Sequence, residues 1–263
     1  MRIAGSTVLL TGAVGGLGQA IARELAAKGA ELVLSGRRAD ALEALADELG
    51  ARAVTADLAD PDQVDRLAEA CPDVDMVIAN AALPSSGELL DYTPEQIDRA
   101  LTVNLRAPVM LTRALAPRMV KAGRGHIVFV GSISGKAATK YSSLYSAAKF
   151  GLRGFALSLR QDLHGTGVGV SLVQPGAVRD AGMFAVTGAT PPAGVRTVSP
   201  GQVVAGVVRA VERDLCEVNV APVELKVLSA IAGQFPAFAE KVQRGSSAER
   251  TISQVVAAQR DKR

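Results

Sequence analysis

The sequence predicts an α/β fold, a doubly wound parallel sheet of about seven strands with helices on both faces. Short apolar runs alternate with longer amphipathic segments along most of the 263 residues. Apolar residues make up 48% of the chain, whereas aromatic residues make up only 3% and Trp is absent. A core of Ala, Val, Leu and Ile suits strands buried on both faces better than it suits an aromatic-rich all-β fold.

The predicted elements follow one another in a regular order. The strand-like runs are 7–11, 31–35, 52–56, 74–79, 126–131, 167–173 and 217–221. The helical segments are 17–28, 39–49, one starting near Pro61, 94–120, 142–164 and 202–214. Pro61 suits the first turn of a helix, where its missing N–H is not needed. We expect one domain over residues 1–222 and a helical extension over residues 223–263.

Charge and composition argue against several classes of function. The net charge is +3 without a basic block, so no nucleic-acid partner is expected. Cys71, Cys216 and two His residues form neither a disulfide framework nor a metal-binding pattern, so no metal is expected. No stretch approaches the ~18 apolar residues of a membrane span, and the first residues lack a long apolar run. We therefore expect a soluble, cytoplasmic protein.

A glycine-rich turn follows the first strand. It reads Thr11-Gly-Ala-Val-Gly-Gly-Leu-Gly18, and its candidate cofactor-binding residues are Thr11, Gly12, Gly15, Gly16, Leu17 and Gly18. Glycines let the main chain turn sharply and approach a pyrophosphate at the positive end of the next helix. The pattern TGxxxGxG differs from GxGxxG and from a Walker sequence. A tight connection without a ligand is the alternative.

The end of the second strand bears on the choice of cofactor. NAD-selective sites commonly place an acidic residue about 20 positions after the glycine turn. Here the segment reads Ser35-Gly36-Arg37-Arg38, with no carboxylate. A guanidinium suits a 2′-phosphate, so we predict NADP(H) in preference to NAD(H), with Arg37 as the phosphate ligand. The alternative is that these arginines are a solvated helix entry, which we expect for one of the two.

Two further segments carry candidate chemistry. Tyr145 and Lys149 are four residues apart, so in a helix they share one face, and Ser132 precedes Tyr145 by thirteen positions. A positive charge beside a phenol favours the phenolate and would make the pair useful for proton transfer, although such pairs are also common on helix surfaces. Asp57, after the third strand, either accepts a hydrogen bond from an adenine amine or begins a turn.

Together these motifs make the chain similar to the short-chain dehydrogenase/reductase family over at least residues 3–178. The matching residues are Thr11-Gly-x-x-x-Gly-x-Gly18, Asp57-Leu58, Ala79-Asn-Ala-Ala82, Asn104, Ser132, Tyr145-x-x-x-Lys149 and Pro175-Gly176. The resemblance implies a Rossmann-like catalytic domain over 1–222, a homo-oligomer, and further cofactor contacts at Leu58, Asn80, Ala81, Pro175, Gly176 and Val178.

The resemblance also implies roles for four catalytic residues. Tyr145 would be the general acid in carbonyl reduction and the base in alcohol oxidation, and Ser132 would hold the substrate oxygen. Lys149 would bind the nicotinamide ribose and lower the tyrosine pKa. Asn104 would position a water that relays protons. The plainer alternatives are that Asn104 caps a helix break and that Ser132 ends a strand.

The chain departs from the family pattern at three places. Ala79 and Ala82 replace an amide and a glycine after the fourth strand, and Arg179-Asp180 stands where a Thr often reaches the nicotinamide carboxamide. Residues 179–200 correspond to the substrate-covering lid, where Met183 and Phe184 either touch an apolar substrate or pin the loop.

The extension carries Leu225, Leu228, Ile231 and Phe235 near helical spacing. We expect this stripe to pack on the chain's own body or on a second subunit, in preference to peripheral membrane contact through 225–238.

The expected function is an NADPH-dependent carbonyl reductase or secondary alcohol dehydrogenase. A 3-oxoacyl thioester and a lipid-like ketone are both open as substrates. A catalytically silent dinucleotide sensor or partner-binding protein on the same fold is the alternative.

Overall fold

A computed structural model describes residues 1–188, 196–244 and 248–259 of the chain. Within them lies one parallel sheet of seven strands in the order β3-β2-β1-β4-β5-β6-β7. The strands are β1 (Thr7–Thr11), β2 (Glu31–Gly36), β3 (Arg52–Thr55), β4 (Met76–Ala79), β5 (Gly125–Val130), β6 (Val168–Pro175) and β7 (Glu217–Val220). The helices are α1 (Gly16–Ala27), α2 (Ala39–Leu49), α3 (Pro61–Glu69), α4 (Pro94–Leu101), α5 (Ala107–Ala122), α6 (Ser143–Asp162), α7 (Gly182–Ala185), α8 (Pro200–Glu212), α9 (Val223–Gln234), α10 (Pro236–Arg244) and α11 (Ala248–Gln259).

Helices cover both faces of the sheet, which confirms the predicted fold class. Successive residues of a strand point to opposite faces, so neighbours in β1 enter different cores. Leu10 packs in the core that contains α1, α2 and α8. Leu9 packs in the core that contains α3, α5 and α6. The central strands are therefore buried on both sides, as their unbroken apolar sequences predicted.

The strand order reverses at β1, which pairs with β2 on one side and with β4 on the other. In open α/β sheets, ligands bind outside the carboxyl ends of the strands at such a point. The topology therefore places the glycine turn after β1 and the loop after β4 side by side at the mouth of a crevice.

The predicted helix over 94–120 is interrupted. A π-helical turn, Thr102–Arg106, separates α4 from α5, and the Ala107 N–H bonds to the Thr102 carbonyl five residues earlier. Pro108 has no N–H to donate to the carbonyl of Asn104, so a regular α-helical ladder cannot continue through this point. Asn104 lies inside this irregular turn.

The described part of the C-terminal extension forms three helices, and much of the predicted stripe is exposed on them. Leu228, Ile231 and Phe235 are 56%, 39% and 63% exposed. The packed face instead carries Ser229, which is buried, and Gly233, where an added Cβ would lie 3.1 Å from a backbone oxygen of the body. Small residues allow this close approach, and beyond Leu225 the side chains of the stripe stay partly exposed. Contact with a second subunit stays a prediction.

Candidate active site

A cleft of about 800 Å³ opens at the carboxyl end of the sheet. Eighteen of the residues predicted from sequence line it: Gly12, Gly15, Gly16, Leu17, Gly18, Arg37, Asp57, Leu58, Asn80, Ala81, Ser132, Tyr145, Lys149, Pro175, Gly176, Val178, Met183 and Phe184. Thr11 and Asn104 do not line it; both are buried behind its wall. Its volume lies within the usual range of about 300–1,000 Å³ for ligand sites.

The glycine turn is shaped for close approach of a ligand to the main chain. Gly12 has φ +66°, and a Cβ there would lie 2.7 Å from the Cα of Ala81. A Cβ on Gly18 would overlap the carbonyl oxygen of Gly12. Helix α1 begins after Gly15 without a side-chain cap. Its first N–H groups can therefore bind an anion, and the turn fits the pyrophosphate of a dinucleotide.

Thr11 and Asn80 hold this turn in place. The Thr11 hydroxyl oxygen accepts hydrogen bonds from the backbone N–H groups of Asn80 (3.1 Å) and Ala81 (3.2 Å). The Asn80 amide donates to the carbonyl oxygens of Thr11 (3.1 Å) and Gly12 (3.2 Å). Thr11 therefore holds the glycine turn from behind the cleft wall, and Asn80 holds it at the edge of the cleft.

At the β2 end of the cleft, the two arginines have different surroundings. Both are exposed and line the cleft. Arg38 donates to the carbonyl oxygen of Val14 at 3.1 Å, whereas the Arg37 side chain makes no hydrogen bond to the described residues. Arg37 is thus the cation that a 2′-phosphate could bind without breaking a contact within the described chain.

Asp57 forms the turn that was one of its two predicted roles. Its carboxylate accepts from the Ala59 N–H at 2.9 Å and from Arg99 at 3.0 Å. Burial disfavours the charged form, but these hydrogen bonds and the charges of Arg99 and Arg37 outweigh it and lower the pKa of Asp57. The carboxylate also borders the cleft, and its contact with an adenine amine stays a prediction.

Ser132, Tyr145 and Lys149 come together at the ends of β5 and α6. The Ser132 side chain lines the cleft together with Tyr145 and accepts from the N–H of Ser134 at 3.1 Å. Lys149 is 3% exposed and donates to the Val130 carbonyl oxygen at 3.1 Å. Its Nζ lies 5.7 Å from the centre of the Tyr145 ring.

The pKa of Tyr145 differs from the prediction that Lys149 would lower it. Burial raises the pKa of Tyr145 to about 12, opposed by the hydrogen bond with Ser132. Burial also lowers the pKa of Lys149 to about 8. Desolvation penalises the charged forms of both side chains. Because the Lys149 ammonium is directed at the Val130 carbonyl, its charge does not outweigh the effect of burial on the pKa of Tyr145.

Asn104 braces the loop that follows β4. Its Oδ1 accepts from the Leu83 N–H at 2.9 Å, and its Nδ2 donates to the Leu83 carbonyl oxygen at 3.0 Å. The side chain is buried and occupied by these two bonds. The predicted water relay at Asn104 would therefore have to use its backbone rather than its amide.

The cleft is also lined by residues that the sequence did not assign to the site. They are Pro84, Ser85, Ser86, Ser134, Ala137, Thr139, Leu225 and Gln259. Leu225 comes from α9 and Gln259 from the last turn of α11. None of these residues belongs to a motif, so only the tertiary structure identifies them.

The stem of the predicted lid is tied to the body and to the extension. Val178 and Val198 form a parallel bridge. Arg196 makes a two-pronged ion pair with Glu224 in α9, at 3.0 and 2.9 Å. Residues 189–195 of the lid lie outside the described residues.

The described segments offer no sign of a metal site, since they contain no group of three His, Cys, Asp or Glu residues able to hold an ion. Among the described helices, none is long and apolar enough to cross a membrane.

Comparison with known proteins identifies the family. A family model described as short chain dehydrogenase matches residues 6–191. The chain belongs to the short chain dehydrogenase family. The match covers both the glycine turn and the Ser132, Tyr145 and Lys149 centre.

Curated relatives of this dehydrogenase are oxidoreductases. A ketoacyl reductase, HetN, of Nostoc sp. is 36% identical over 229 residues, covering 83% of this chain and 79% of the relative. An NADP-dependent 3-hydroxy acid dehydrogenase, YdfG, of Salmonella typhi is 36% identical over 178 residues, covering 65% of this chain and 72% of the relative. The chain is therefore an oxidoreductase of this family.

Solved structures show the same architecture. A short-chain dehydrogenase from Sphingobium yanoikuyae in complex with NADPH aligns with a TM-score of 0.77 at 28% identity, over 93% of this chain and 99% of that one. A metagenomic short-chain oxidoreductase in complex with NADP aligns with a TM-score of 0.71 at 32% identity, over 84% and 99%. Members of this family that share the fold thus bind NADP(H).

Proposed function

We propose that this dehydrogenase is an NADPH-dependent carbonyl reductase that acts in the reverse direction as a secondary alcohol dehydrogenase. One observation carries the proposal: Ser132, Tyr145 and Lys149 converge on the wall of the same cleft that the glycine turn and Arg37 border. This arrangement supports a role for Tyr145 as a proton donor in the space that a dinucleotide and a small substrate would share.

The chain's own residues fit NADP(H). The backbone N–H groups at the start of α1 would hold the pyrophosphate, Arg37 the 2′-phosphate and Lys149 the nicotinamide ribose. The bound cofactor supplies the hydride, and the protein supplies orientation and the proton. The NADPH and NADP complexes of the Sphingobium and metagenomic neighbours support this assignment.

The proton chemistry follows from the environment of Tyr145. With a pKa of about 12, its hydroxyl is protonated at neutral pH and is ready to donate to a carbonyl oxygen as that oxygen gains charge. Ser132, which lines the same cleft as Tyr145, can donate to the substrate oxygen and hold it in place. In alcohol oxidation the proton returns to the tyrosine, which requires the phenolate and so favours higher pH.

The substrate side of the cleft supports a ketone or aldehyde with an apolar substituent. Met183 and Phe184 from α7 line the cleft, as do Ala137 and, from the extension, Leu225. A 3-oxoacyl thioester or a lipid-like ketone is the finer candidate, which the name of the Nostoc relative also favours. A catalytically silent sensor would have no need to bury Lys149 near the Tyr145 ring, since this burial desolvates the ammonium.

The test is consumption of NADPH, followed by its near-ultraviolet absorbance, with a panel of ketones and aldehydes. Tyr145→Phe should lower turnover by about 10²- to 10⁴-fold, the usual contribution of a general acid, while the dissociation constant of NADPH stays within about twofold. Tyr141→Phe, a change of the same kind outside the cleft lining, is the matched control. Unchanged turnover in Tyr145→Phe would refute the assignment of the acid.

A further inference from the structure

Gln259, in the last turn of α11, brings an unpartnered polar group to the cleft. It lines the cleft and is only 4% exposed. Its Oε1 has no hydrogen-bond partner among the described residues. Buried side-chain oxygens in proteins nearly always have a partner, so an orphaned one at a binding cleft indicates a ligand that supplies the donor.

The extension that carries Gln259 is built into the wall of the site. In α9, Leu225 also lines the cleft and packs on the turn after β6, where a Cβ on Gly176 would lie 3.1 Å from its side chain. Gly176 follows the strand that ends at Pro175, one of the predicted cofactor contacts. The extension thus contributes one apolar and one polar side chain to the cleft.

We propose that Gln259 is a specificity-determining residue that accepts a hydrogen bond from the substrate. The substrate class is a ketone or aldehyde that carries a hydroxyl or amide N–H away from its carbonyl, because an amide oxygen can only accept. The inference rests on the proposed carbonyl reductase activity. A buried acceptor discriminates strongly, since an analogue without the donor leaves it unpaired.

The dinucleotide also carries hydrogen-bond donors, so the experiment must separate the two ligands. The probes are the three positional isomers of 4-(hydroxyphenyl)butan-2-one and the three matching 4-(methylphenyl)butan-2-ones. Hydroxyl and methyl are similar in size, and the two-carbon spacer insulates the carbonyl from the ring substituent. The isomers present the hydroxyl at different points of the cleft wall.

The variants are Gln259→Leu, which keeps much of the side-chain volume without the amide, and Gln254→Leu, the same change at an exposed position of α11. For at least one isomer, the wild type should prefer the hydroxyl ketone in kcat/KM. Gln259→Leu should reduce this preference by roughly tenfold, the size expected for one hydrogen bond. The change should appear in KM rather than in kcat, and the NADPH dissociation constant, measured by fluorescence, should not move.

Each other outcome overturns the inference. If the wild type reduces the ketones but Gln259→Leu affects the hydroxyl and methyl members of each pair alike, Gln259 is only structural. If Gln259→Leu weakens NADPH and leaves KM unchanged, the amide serves the cofactor and the substrate assignment is wrong. If the wild type reduces none of the six ketones with NADPH, the proposed function fails first, and this inference fails with it.

Discussion

Replacing Arg37 by Ala tests the origin of cofactor selectivity. Arg37 is exposed at the cleft and makes no hydrogen bond within the described residues, so the substitution removes no contact of this kind from the protein. A charge-assisted hydrogen bond contributes about 1.5–3 kcal/mol. Because Arg37 is exposed, we expect its bond to the 2′-phosphate to contribute about 2 kcal/mol. At 1.36 kcal/mol per tenfold, NADPH should bind about 30-fold more weakly. NADH, which lacks the 2′-phosphate, should bind as before.

Arg38→Ala is the matched control, because Arg38 donates to the Val14 carbonyl oxygen inside the glycine turn. Loss of that bond should affect both cofactors by the same factor. Both dissociation constants can be measured by the fluorescence of the reduced nicotinamide on titration with protein. Equal losses of NADPH and NADH binding in Arg37→Ala would show that selectivity arises elsewhere.

Two further predictions concern the glycine turn and acid stability. Gly18→Ala should weaken NADPH binding at least about tenfold, because the new Cβ would overlap the Gly12 carbonyl oxygen and the turn must shift. Gly154→Ala is the control, because it lies in helix α6 with open space around the new methyl. It should stabilise the fold by about 0.5–1 kcal/mol in urea unfolding. Similar NADPH affinities for the two variants would contradict the steric argument. His126 is buried against Ser171, and burial lowers its pKa from 6.5 to about 4. The unfolded chain therefore binds the proton more readily, and stability should fall by up to about 3 kcal/mol as pH drops from 6.5 to 4. His126→Asn should flatten this part of the unfolding free energy against pH; an unchanged slope would remove His126 as the cause.

The fold was predictable because its determinants are local. Unbroken apolar runs between helical segments identify buried parallel strands, and the strands formed where the sequence placed them. A helix break was considered only as the alternative role of Asn104, and residues 94–120 were predicted as one helix. Proline is common near the start of a helix, so Pro108 does not reveal that a helix already precedes it. The hydrogen bonds between the Asn104 side chain and the Leu83 backbone hold the irregular turn in place, and they are visible only in the tertiary structure.

The candidate site was predictable where chemistry demands particular residues at particular spacings. Most of the positions assigned from motifs line one cleft. Gln259 was missed because a single polar residue in a polar segment has no periodic or motif signal, and its location depends on how the extension packs. The stripe through Leu228 and Ile231 is partly exposed in the described chain, because the small residue Gly233 permits the closer approach to the body, and contact of the stripe with a second subunit stays a prediction.

The ion pair of Arg196 with Glu224 has a consequence for redesign. It fastens the chain leaving the lid to the helix whose next residue, Leu225, borders the cleft. A lid loop transplanted from another dehydrogenase would lack Arg196, so Glu224 would lose its ion-pair partner. A replaced C-terminal extension would lack Glu224, so Arg196 would lose its partner. These two stretches therefore form a single module, to be grafted jointly when a new specificity is sought.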